Sequence, residues 1–510
     1  MDISLKRKTI TKIIIPLLLG SLSYFVFAPY FYWPLILIII SGFLQVIWCS
    51  KKNGFLIGFF FGIGHFVSTL YWIVFSVRTA GMDDIAVIGM LLVCCFLSIY
   101  YGIASYILIK YKNQNTTKIE FSFAATIVLI SAQLMQGHLF TGFPWTLWGY
   151  GFSHESGVLA ITSLVGIYGL TFLVILLSSL LWSGYIIKRA SLAICTVLVY
   201  SSLFFIANKG TSNDYYKENH YKKINIIIVQ PCIDQKIKWS RSYFMNSLHC
   251  ILDITKNSHR GTGENIIIWP ESAVPSFVME DNQLCNYMAS YIKKDDTVFF
   301  GAPRRCGDKI FTSIFSLSKT GKCNHIYDKS HLVPFGEYLP FRGVLSLLGL
   351  NKLTHGLEDY SEGNGENYRN YNNNIPIFKS KICYEIIFPF YKNTKKHDYK
   401  WILNITNDSW FGDSTAPHQH FHISRVRAIE QGKSLVRVAN NGISAVIDPY
   451  GNVVNKIELN NKTSITTVLP KPIKNTFYSL YGNISLYIMY IICFIIIVVI
   501  RLKKHRVHAR

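Results

Sequence analysis

The stretch NIIIWPES, at residues 265–272, runs from a continuous apolar segment directly into a carboxylate. A second apolar run, NIIIVQ at residues 225–230, resembles it. Continuous runs of this kind, rich in β-branched residues, are typical of strands in a sheet that is covered on both faces. Because helical segments alternate with such runs over roughly residues 208–480, the pattern predicts a layered α/β domain.

The individual elements of this domain follow from short β-branched or aromatic runs with turn residues between them. The predicted strands are 224–229, 265–269, 297–301, 313–317, 375–382, 401–404, 435–438, 443–447 and 464–468. The predicted helices are 239–257, 280–293 and 417–431, the last opening with Pro417, a favourable first-turn residue.

Long apolar stretches surround this domain in a chain of 510 residues that is half hydrophobic and only 16% charged. A membrane-spanning helix needs about 20 mostly apolar residues. The sequence therefore predicts a bundle of eight transmembrane helices, seven in residues 1–207 and one in residues 481–510, on either side of a catalytic domain at 208–480. The predicted spans are 10–29, 31–49, 54–77, 84–109, 119–137, 158–187, 191–207 and 481–500.

The net charge of +22 lies largely in short clusters between the apolar stretches, which does not favour a nucleic-acid-binding face. With the N-terminus in the cytoplasm, all the basic loops fall on the cytoplasmic side, and the opposite short loops carry only Arg78. The polar domain then lies outside, which in a bacterium is the periplasm. The cytoplasmic clusters are Lys6, Arg7, Lys8, Lys12, Lys51, Lys52, Lys110, Lys112, Lys118, Lys188, Arg189, Arg501, Lys503, Lys504, Arg506 and Arg510.

The eleven cysteines lack paired CxxC spacing, so zinc-ribbon and thioredoxin-like sites are not indicated. Some of those in the polar domain would pair in an oxidising compartment, but spacing does not say which. Five lie in apolar stretches, where a cysteine is usually a small apolar residue. The six in the polar domain are Cys232, Cys250, Cys285, Cys306, Cys323 and Cys383.

Three side chains at predicted strand ends suggest covalent carbonyl chemistry. Cys383 follows the run IPIFKSKI, Glu271 follows IIIWP, and Lys329 follows NHIYD. A thiol needs a base or a cation beside it to become a nucleophile, a desolvated carboxylate acts as a base, and a lysine stabilises an oxyanion. Each residue also has an ordinary interpretation, as a buried apolar thiol, a helix N-terminal acid and a solvated surface charge.

No metal or cofactor is predicted. The chain has no GxxxxGK motif and therefore no sign of ATP use. His418, His420 and His422 alternate within a helical segment, whereas helical metal ligands share a face at i and i+4, so structural or surface roles are favoured.

An apolar segment with Val344, Leu345, Leu347, Leu348 and Leu350 lies between the Lys329 and Cys383 motifs. It would be either a buried helix or a mobile lid that touches the bilayer. Glycines at 343 and 349 interrupt it and favour the lid. Phe341 and Leu353 would extend its apolar face.

Together these motifs resemble the nitrilase or carbon–nitrogen hydrolase superfamily, whose catalytic triad is Glu, Lys and Cys in that chain order. The resemblance is closest to the bacterial apolipoprotein N-acyltransferase family, with eight membrane helices and one periplasmic nitrilase-like domain of αββα architecture. The motifs that carry it are GHLFTGFPWTLWGYG at 137–151, WPES at 269–272, HLVPFGEYLPFR at 331–342, ICYEIIFP at 382–389 and NITNDSWFG at 404–412.

The resemblance implies a role for each matching residue. Glu271 would be the general base, Lys329 the oxyanion stabiliser and Cys383 the acylated nucleophile. Glu337, Tyr384 and Glu385 would support this triad. Trp239 matches a tryptophan beside the substrate, although core packing is an equally good interpretation. Leu345 and Leu348 of the lid segment are also expected to bind substrate.

The implied reaction moves an acyl chain from a phospholipid, through a thioester on Cys383, to the α-amine of a diacylglyceryl-modified apolipoprotein, with no cofactor. We expect a monomer in the bacterial inner membrane that binds no nucleic acid. Two alternatives stay open from the residues alone. A membrane-anchored amidase would keep the triad but would not need seven preceding helices, and a transporter would place more ionisable groups within its spans.

Overall fold

The computed structural model describes residues 3–186, 215–348, 352, 359–365, 368–369, 374–390 and 399–508. Its first part is helical, its second part contains two β-sheets, and a long helix follows. The helices of the first part are α1 (Ile3–Ser21), α2 (Pro34–Cys49), α3 (Gly54–Leu70), α4 (Ile73–Thr79), α5 (Ala86–Tyr111), α6 (Lys118–His138) and α7 (Thr162–Ile186).

Four helical segments among the described residues are long and apolar enough to cross a membrane: Asp83–Tyr111, Lys118–Thr141, Val158–Gly184 and Ile484–Lys504. The pair α3 and α4 is bent by 53° and would make a fifth if it counts as one span. Lys12–Phe25 and Pro34–Cys49 are apolar but shorter, and the predicted span at 191–207 lies outside the described residues. The structure therefore contains four or five of the expected spanning segments.

Glycines allow the helices of the first part to approach closely. A Cβ at Gly58 of α3 would lie 2.0 Å from the Tyr101 carbonyl oxygen of α5. A Cβ at Gly64 would lie 2.0 Å from the Leu17 carbonyl oxygen of α1. Small residues at such crossings are typical of helices that pack within lipid, where backbone contact replaces the hydrophobic driving force.

The described residues of the second part form twelve strands and seven α-helices. The strands are β1 (His220–Gln230), β2 (Glu264–Ile268), β3 (Asp296–Cys306), β4 (Lys309–Ser318), β5 (Cys323–Asp328), β6 (Tyr368–Arg369), β7 (Phe378–Ile382), β8 (Trp401–Thr406), β9 (Ser434–Ala439), β10 (Ser444–Ile447), β11 (Val453–Ile457) and β12 (Thr463–Pro470). The helices are α8 (Tyr215–Glu218), α9 (Gln235–Lys238), α10 (Arg241–Asn257), α11 (Asn282–Ser290), α12 (Arg342–Leu345), α13 (Ala416–Gln431) and α14 (Phe477–Tyr481), and α15 (Ile484–His508) follows.

Each sheet has six strands, in the orders β12-β1-β2-β3-β4-β5 and β11-β10-β9-β8-β7-β6. The central strands run parallel, β1 with β2 and β3, and β7 with β8 and β9. All nine predicted strands are present, with shifted ends. The edge strands β6 and β11 were not predicted from the sequence, and β5 was predicted only as the strand end before Lys329.

The two sheets pack face to face around a buried core that includes Ile228, Ile268, Phe299, Ile382 and Val438. Helices α10 and α11 cover the outer face of the first sheet. Helix α13 packs on the outer face of the second sheet and also against the first part of the chain. This arrangement confirms the predicted α/β domain and explains the continuous apolar strands, since both faces of each sheet are covered.

Exposed apolar side chains mark the surface of α15. Tyr487, Ile491 and Phe494 are each more than half exposed. Large contiguous apolar surfaces are rare on soluble monomers and are typical of surfaces that contact membranes or partners. The exposed apolar surface of α15 therefore suits contact with the hydrocarbon of a membrane, which its length also allows it to cross.

Candidate active site

Three strand ends bring the predicted triad together. Glu271 follows β2, Lys329 follows β5, and Cys383 follows β7. The Lys329 Nζ atom lies 3.6 Å from the Glu271 Oε1 atom, and the charges of both residues act on the Cys383 thiol. All three side chains are buried. A carboxylate, an ammonium group and a thiol thus converge in a space from which bulk water is largely excluded.

The backbone at Cys383 is strained. Its φ of 47° lies in the left-handed region, which is unusual for a residue other than glycine. The residue opens a short 3₁₀ helix, Cys383–Ile387, directly after β7. Such strain persists only where the surroundings hold it, and it is concentrated at functional sites.

Glu385 is the group that holds this turn. Its Oε2 atom accepts a hydrogen bond from the Ile382 backbone N–H at 2.7 Å. Its Oε1 atom accepts from the Tyr327 hydroxyl at 2.6 Å and from the Ser330 backbone N–H at 2.9 Å. The Ser330 hydroxyl and the His331 backbone N–H also donate to Oε1. One buried carboxylate therefore ties the segment after Lys329 to the residue before Cys383.

We expect Glu385→Gln to lower both stability and activity. The amide NH₂ cannot accept from one of the donors that the carboxylate now satisfies, and a buried unsatisfied donor costs about 1–3 kcal/mol. The free energy of unfolding should fall by that amount, and acyl transfer should fall roughly tenfold or more as the Cys383 turn relaxes. Thermal unfolding and rate measurements check this, with the exposed Glu280→Gln as control. Unaltered activity in Glu385→Gln would contradict the positioning role.

Glu337 is placed beside Lys329, as the motif match implied. Its Oε1 atom accepts from the Lys329 ammonium at 2.9 Å, and its Oε2 atom accepts from the Val333 backbone N–H at 2.8 Å. The lysine is therefore held between two carboxylates, Glu337 and Glu271. This keeps the ammonium charged and directed toward the thiol.

The pKa values of the three groups follow from burial and from one another. Burial raises the pKa of Glu271, and Lys329 opposes that shift. Burial, with the charge of Glu271, raises the pKa of the Cys383 thiol to about 12. Burial alone would lower the pKa of Lys329, but Glu337, Glu271 and Cys383 together raise it. The thiol is thus protonated at neutral pH, and a base with a raised pKa lies next to it, which suits proton transfer during attack.

Several residues at the site had no role in the sequence-based prediction. Lys238 is buried, and its ammonium donates to the Glu271 backbone carbonyl at 3.0 Å. Burial lowers the pKa of Lys238 to about 8, against the opposing charges of Glu271 and Cys383. A lysine is normally solvated, so nothing in its local sequence marked it as buried.

A second group missed from the sequence is built around Asp408 in the motif NITNDSWFG. The Arg437 Nη2 atom donates to Asp408 Oδ2 at 2.7 Å, and the His420 Nδ1 atom lies 3.1 Å from Asp408 Oδ1. Burial would raise the pKa of Asp408, but Arg437 and His420 lower it to about 2. Its charge also acts to raise the pKa of the Cys383 thiol.

The histidines of α13 have different surroundings from one another. His420 contacts Asp408, whereas the His422 ring packs 4.7 Å from the Phe31 ring. No group of three metal-ligating side chains occurs within the described part of the chain. The structural role favoured from the sequence agrees with these contacts for His420 and His422.

Trp239 lies at the C-terminal end of α9, half-buried, on the wall of a cavity of about 960 Å³. Lys238 and Tyr360 also line this cavity. The Tyr360 backbone N–H donates to the Glu337 carbonyl at 3.0 Å. The tryptophan therefore lies beside the triad, on a cavity wall instead of within a packed core.

Tyr384 connects the nucleophile turn to the first part of the chain. Its hydroxyl donates to the Gly142 carbonyl at 3.0 Å, and its ring stacks on Phe143. Both partners belong to the TGFPW segment of the sequence motif at 137–151. The helical part thus contributes directly to the surroundings of Cys383.

The lid segment forms α12 followed by a 3₁₀ turn, Ser346–Leu348. Phe341 is 76% exposed and Leu347 is 84% exposed, which does not agree with a buried helix at these two positions. The backbones of Leu345 and Leu348 are described but their side chains are not, and Gly349, Leu350 and Leu353 lie outside the described residues. Lid motion stays a prediction.

Comparison with known proteins identifies two matching family models. The apolipoprotein N-acyltransferase N-terminal domain matches residues 19–180, and the carbon–nitrogen hydrolase model matches residues 210–476. Similar proteins named apolipoprotein N-acyltransferase include one from Rickettsia bellii, 35% identical over 97% of this chain and 98% of that protein. Another from Rickettsia typhi is 34% identical over 93% of this chain and 95% of that protein. A third, from Rhodopseudomonas palustris, is 30% identical over 92% of each chain.

Proposed function

The chain belongs to the apolipoprotein N-acyltransferase family, and on that premise we propose that it transfers its acyl group through a thioester on Cys383. The family assignment makes it an acyltransferase of lipoprotein maturation. The single observation that supports the thioester is the burial of the Cys383 thiol within the electrostatic reach of Glu271 and Lys329, whose Oε1 and Nζ atoms lie 3.6 Å apart.

In the first step Glu271 takes the thiol proton while the sulfur attacks an ester carbonyl of a phospholipid. The ammonium of Lys329 stabilises the oxyanion of the tetrahedral intermediate. The ester C–O bond then breaks, and the leaving alkoxide takes the proton from Glu271. A lysophospholipid departs, and the acyl group stays on sulfur.

In the second step the free α-amine of the diacylglyceryl-cysteine of an apolipoprotein attacks the thioester. Glu271 takes the amine proton, the C–S bond breaks, and the proton returns to the thiolate. A thioester retains enough reactivity to form an amide, so the reaction needs no external energy source. Glu337 and Glu385 position Lys329 and the Cys383 turn, and Trp239, Leu345 and Leu348 would contact substrate.

We also propose the orientation expected from the sequence, with eight membrane helices and the 208–480 domain in the periplasm of the inner membrane. The ends of α5, α6 and α15 that carry basic residues meet at one end of the bundle, where Arg501 and Tyr111 both donate to Glu120. The catalytic domain packs at the other end, where the Thr415 backbone N–H donates to the Tyr71 hydroxyl at 3.1 Å. This separation supports the positive-inside orientation.

A disulfide joins Cys285 and Cys323 in the same domain, and this supports an oxidising compartment. A site at the membrane surface also has an energetic advantage. Each methylene removed from lipid costs roughly 0.8 kcal/mol, so exposing a long acyl chain to water would cost on the order of 10 kcal/mol.

The test incubates purified protein with a phospholipid of defined acyl chains and measures the intact mass. We expect one acyl chain on Cys383, lost again when a diacylglyceryl-cysteine peptide is added, with N-acylated peptide as product. The exposed Cys306→Ser variant should behave as the unaltered protein. Product formed without any acyl adduct on Cys383 would refute the thioester.

A further inference from the structure

The cavity beside the triad has an unusual charge. Four of its lining residues are basic, Lys236, Lys238, Arg241 and Lys352, and none is acidic. The remaining walls are largely apolar or aromatic and include Trp239 and Phe277. A concave surface of low dielectric and one sign of charge concentrates ions of the opposite sign.

The nearby carboxylates leave this charge available. Asp359, which acts on Lys352, is paired with Arg342 through two hydrogen bonds. Glu271 lies behind Lys238, and Lys238 contacts its backbone carbonyl. Lys236 and Arg241 are exposed at the cavity, and neither makes an ion pair within the residues that the structure describes. These two cations face the open space.

The size of the cavity and the chemistry of its walls indicate a ligand in which a phosphate is joined to apolar or neutral groups. Lysine and arginine are the usual protein partners of phosphate oxygens. A volume of about 960 Å³ with aromatic walls is far larger than an inorganic phosphate ion requires. In a phospholipid only a few glycerol bonds separate the phosphate from the ester carbonyl. Here Lys238 lines the cavity and its ammonium donates to the Glu271 backbone carbonyl at 3.0 Å.

We propose that this basic cavity binds the phosphate group of the phospholipid donor, an inference that rests on the proposed function. Lys236 and Arg241 are the residues that select a donor with a phosphodiester over one without. Lys238 lines the cavity, and its ammonium contacts the backbone of Glu271, the residue that takes the thiol proton. Headgroup binding and placement of the ester carbonyl then occur together.

The test compares two donors with the same acyl chains, phosphatidylethanolamine and diacylglycerol, in detergent micelles at low salt without acceptor. The rate of acyl adduct formation on Cys383 is measured for each. In the double variant Lys236→Gln/Arg241→Gln, the preference for phosphatidylethanolamine over diacylglycerol should fall by about tenfold, as expected for losing charge-assisted contacts to one phosphate. The matched control is Lys294→Gln/Lys309→Gln, two exposed lysines outside the cavity, which should keep the preference of the unaltered protein.

A binding measurement that needs no chemistry accompanies it. Calorimetry with the Cys383→Ser protein should detect sn-glycerol 3-phosphate but not glycerol, and adding the double substitution should weaken that binding by about tenfold. If inorganic phosphate binds as well as glycerol phosphate and the donor preference is unchanged in the double variant, the cavity takes a free anion and the proposal is overturned.

The remaining outcomes separate the two proposals. An unchanged donor preference, or equal loss with both donors, overturns the phosphate site. Absence of any acyl adduct in the unaltered protein refutes the thioester. In that case, loss of glycerol phosphate binding in the double variant would still support the cavity as a phosphate site, and retained binding would overturn it.

Discussion

Replacing Cys383 by serine is expected to lower acyl transfer by roughly a thousandfold or more, because removal of a nucleophile of this kind disables the whole catalytic unit. The surroundings already raise the pKa of the thiol to about 12, which opposes loss of its proton. An alcohol is a far weaker acid. An oxygen ester, if formed, would also be less reactive toward the acceptor amine than a thioester.

The loss should come without a large change in stability. Serine is close to cysteine in volume, and the side chain lies in a polar environment where a hydroxyl finds partners, with Glu271 nearby. Initial rates of peptide N-acylation and thermal unfolding should be measured together, with Cys306→Ser as the control for thiol loss at an exposed position. A Cys383→Ser protein with more than a tenth of the original rate would end the covalent mechanism.

Glu271→Gln is expected to lower the rate by about 100- to 10,000-fold, the usual contribution of a general base. The amide occupies the same space but cannot take the thiol proton. The exposed Glu218→Gln serves as the control for loss of a carboxylate in the same domain. Loss of acyl adduct formation, and not only of product, would place the defect in the first step.

The pH dependence gives a sharper test of the same residue. Glu271 must be ionised to act as a base, and burial raises its pKa above the ordinary value of a glutamate. The rate should therefore fall as the pH is lowered through that raised pKa. The acid limb of the pH–rate profile should lie at a higher pH than the pKa of an exposed glutamate would give. In Glu271→Gln the low residual rate should lack this limb. An acid limb that persists in the variant would assign it to another group.

The helical part does more than anchor the domain. Tyr384, the residue after the nucleophile, donates to Gly142, and the Trp145 ring N–H donates to Gln419 of α13 at 2.7 Å. The aromatic ring of Trp72 packs against Phe411, which follows the strand β8. The motif at 137–151 is therefore a structural link between the membrane helices and the turn that carries Cys383.

The elements predicted correctly from the sequence are those whose apolar pattern lies within a few neighbouring residues. The continuous apolar runs that became β1, β2 and β8 need only their own residues to be recognised. The edge strand β11, VVNKI, carries exposed charged and polar residues and lacks that signal. The predicted helix at 239–257 begins only at Arg241, and a separate short helix ends at Lys238, so that Trp239 lies between the two helices on the cavity wall.

The sequence by itself determined the α/β domain, the apolar helices around it, the family, and Glu271, Lys329 and Cys383 as candidates, because apolar periodicity and short motifs are properties of neighbouring residues. Only the tertiary structure decided that Lys238 is buried against Glu271, that Asp408, Arg437 and His420 form one group whose Asp408 charge acts on Cys383, and that basic residues gather around one cavity. Burial and electrostatic coupling depend on atoms brought together from distant parts of the chain. A lysine that is solvated in one fold and buried beside a carboxylate in another has the same local sequence in both.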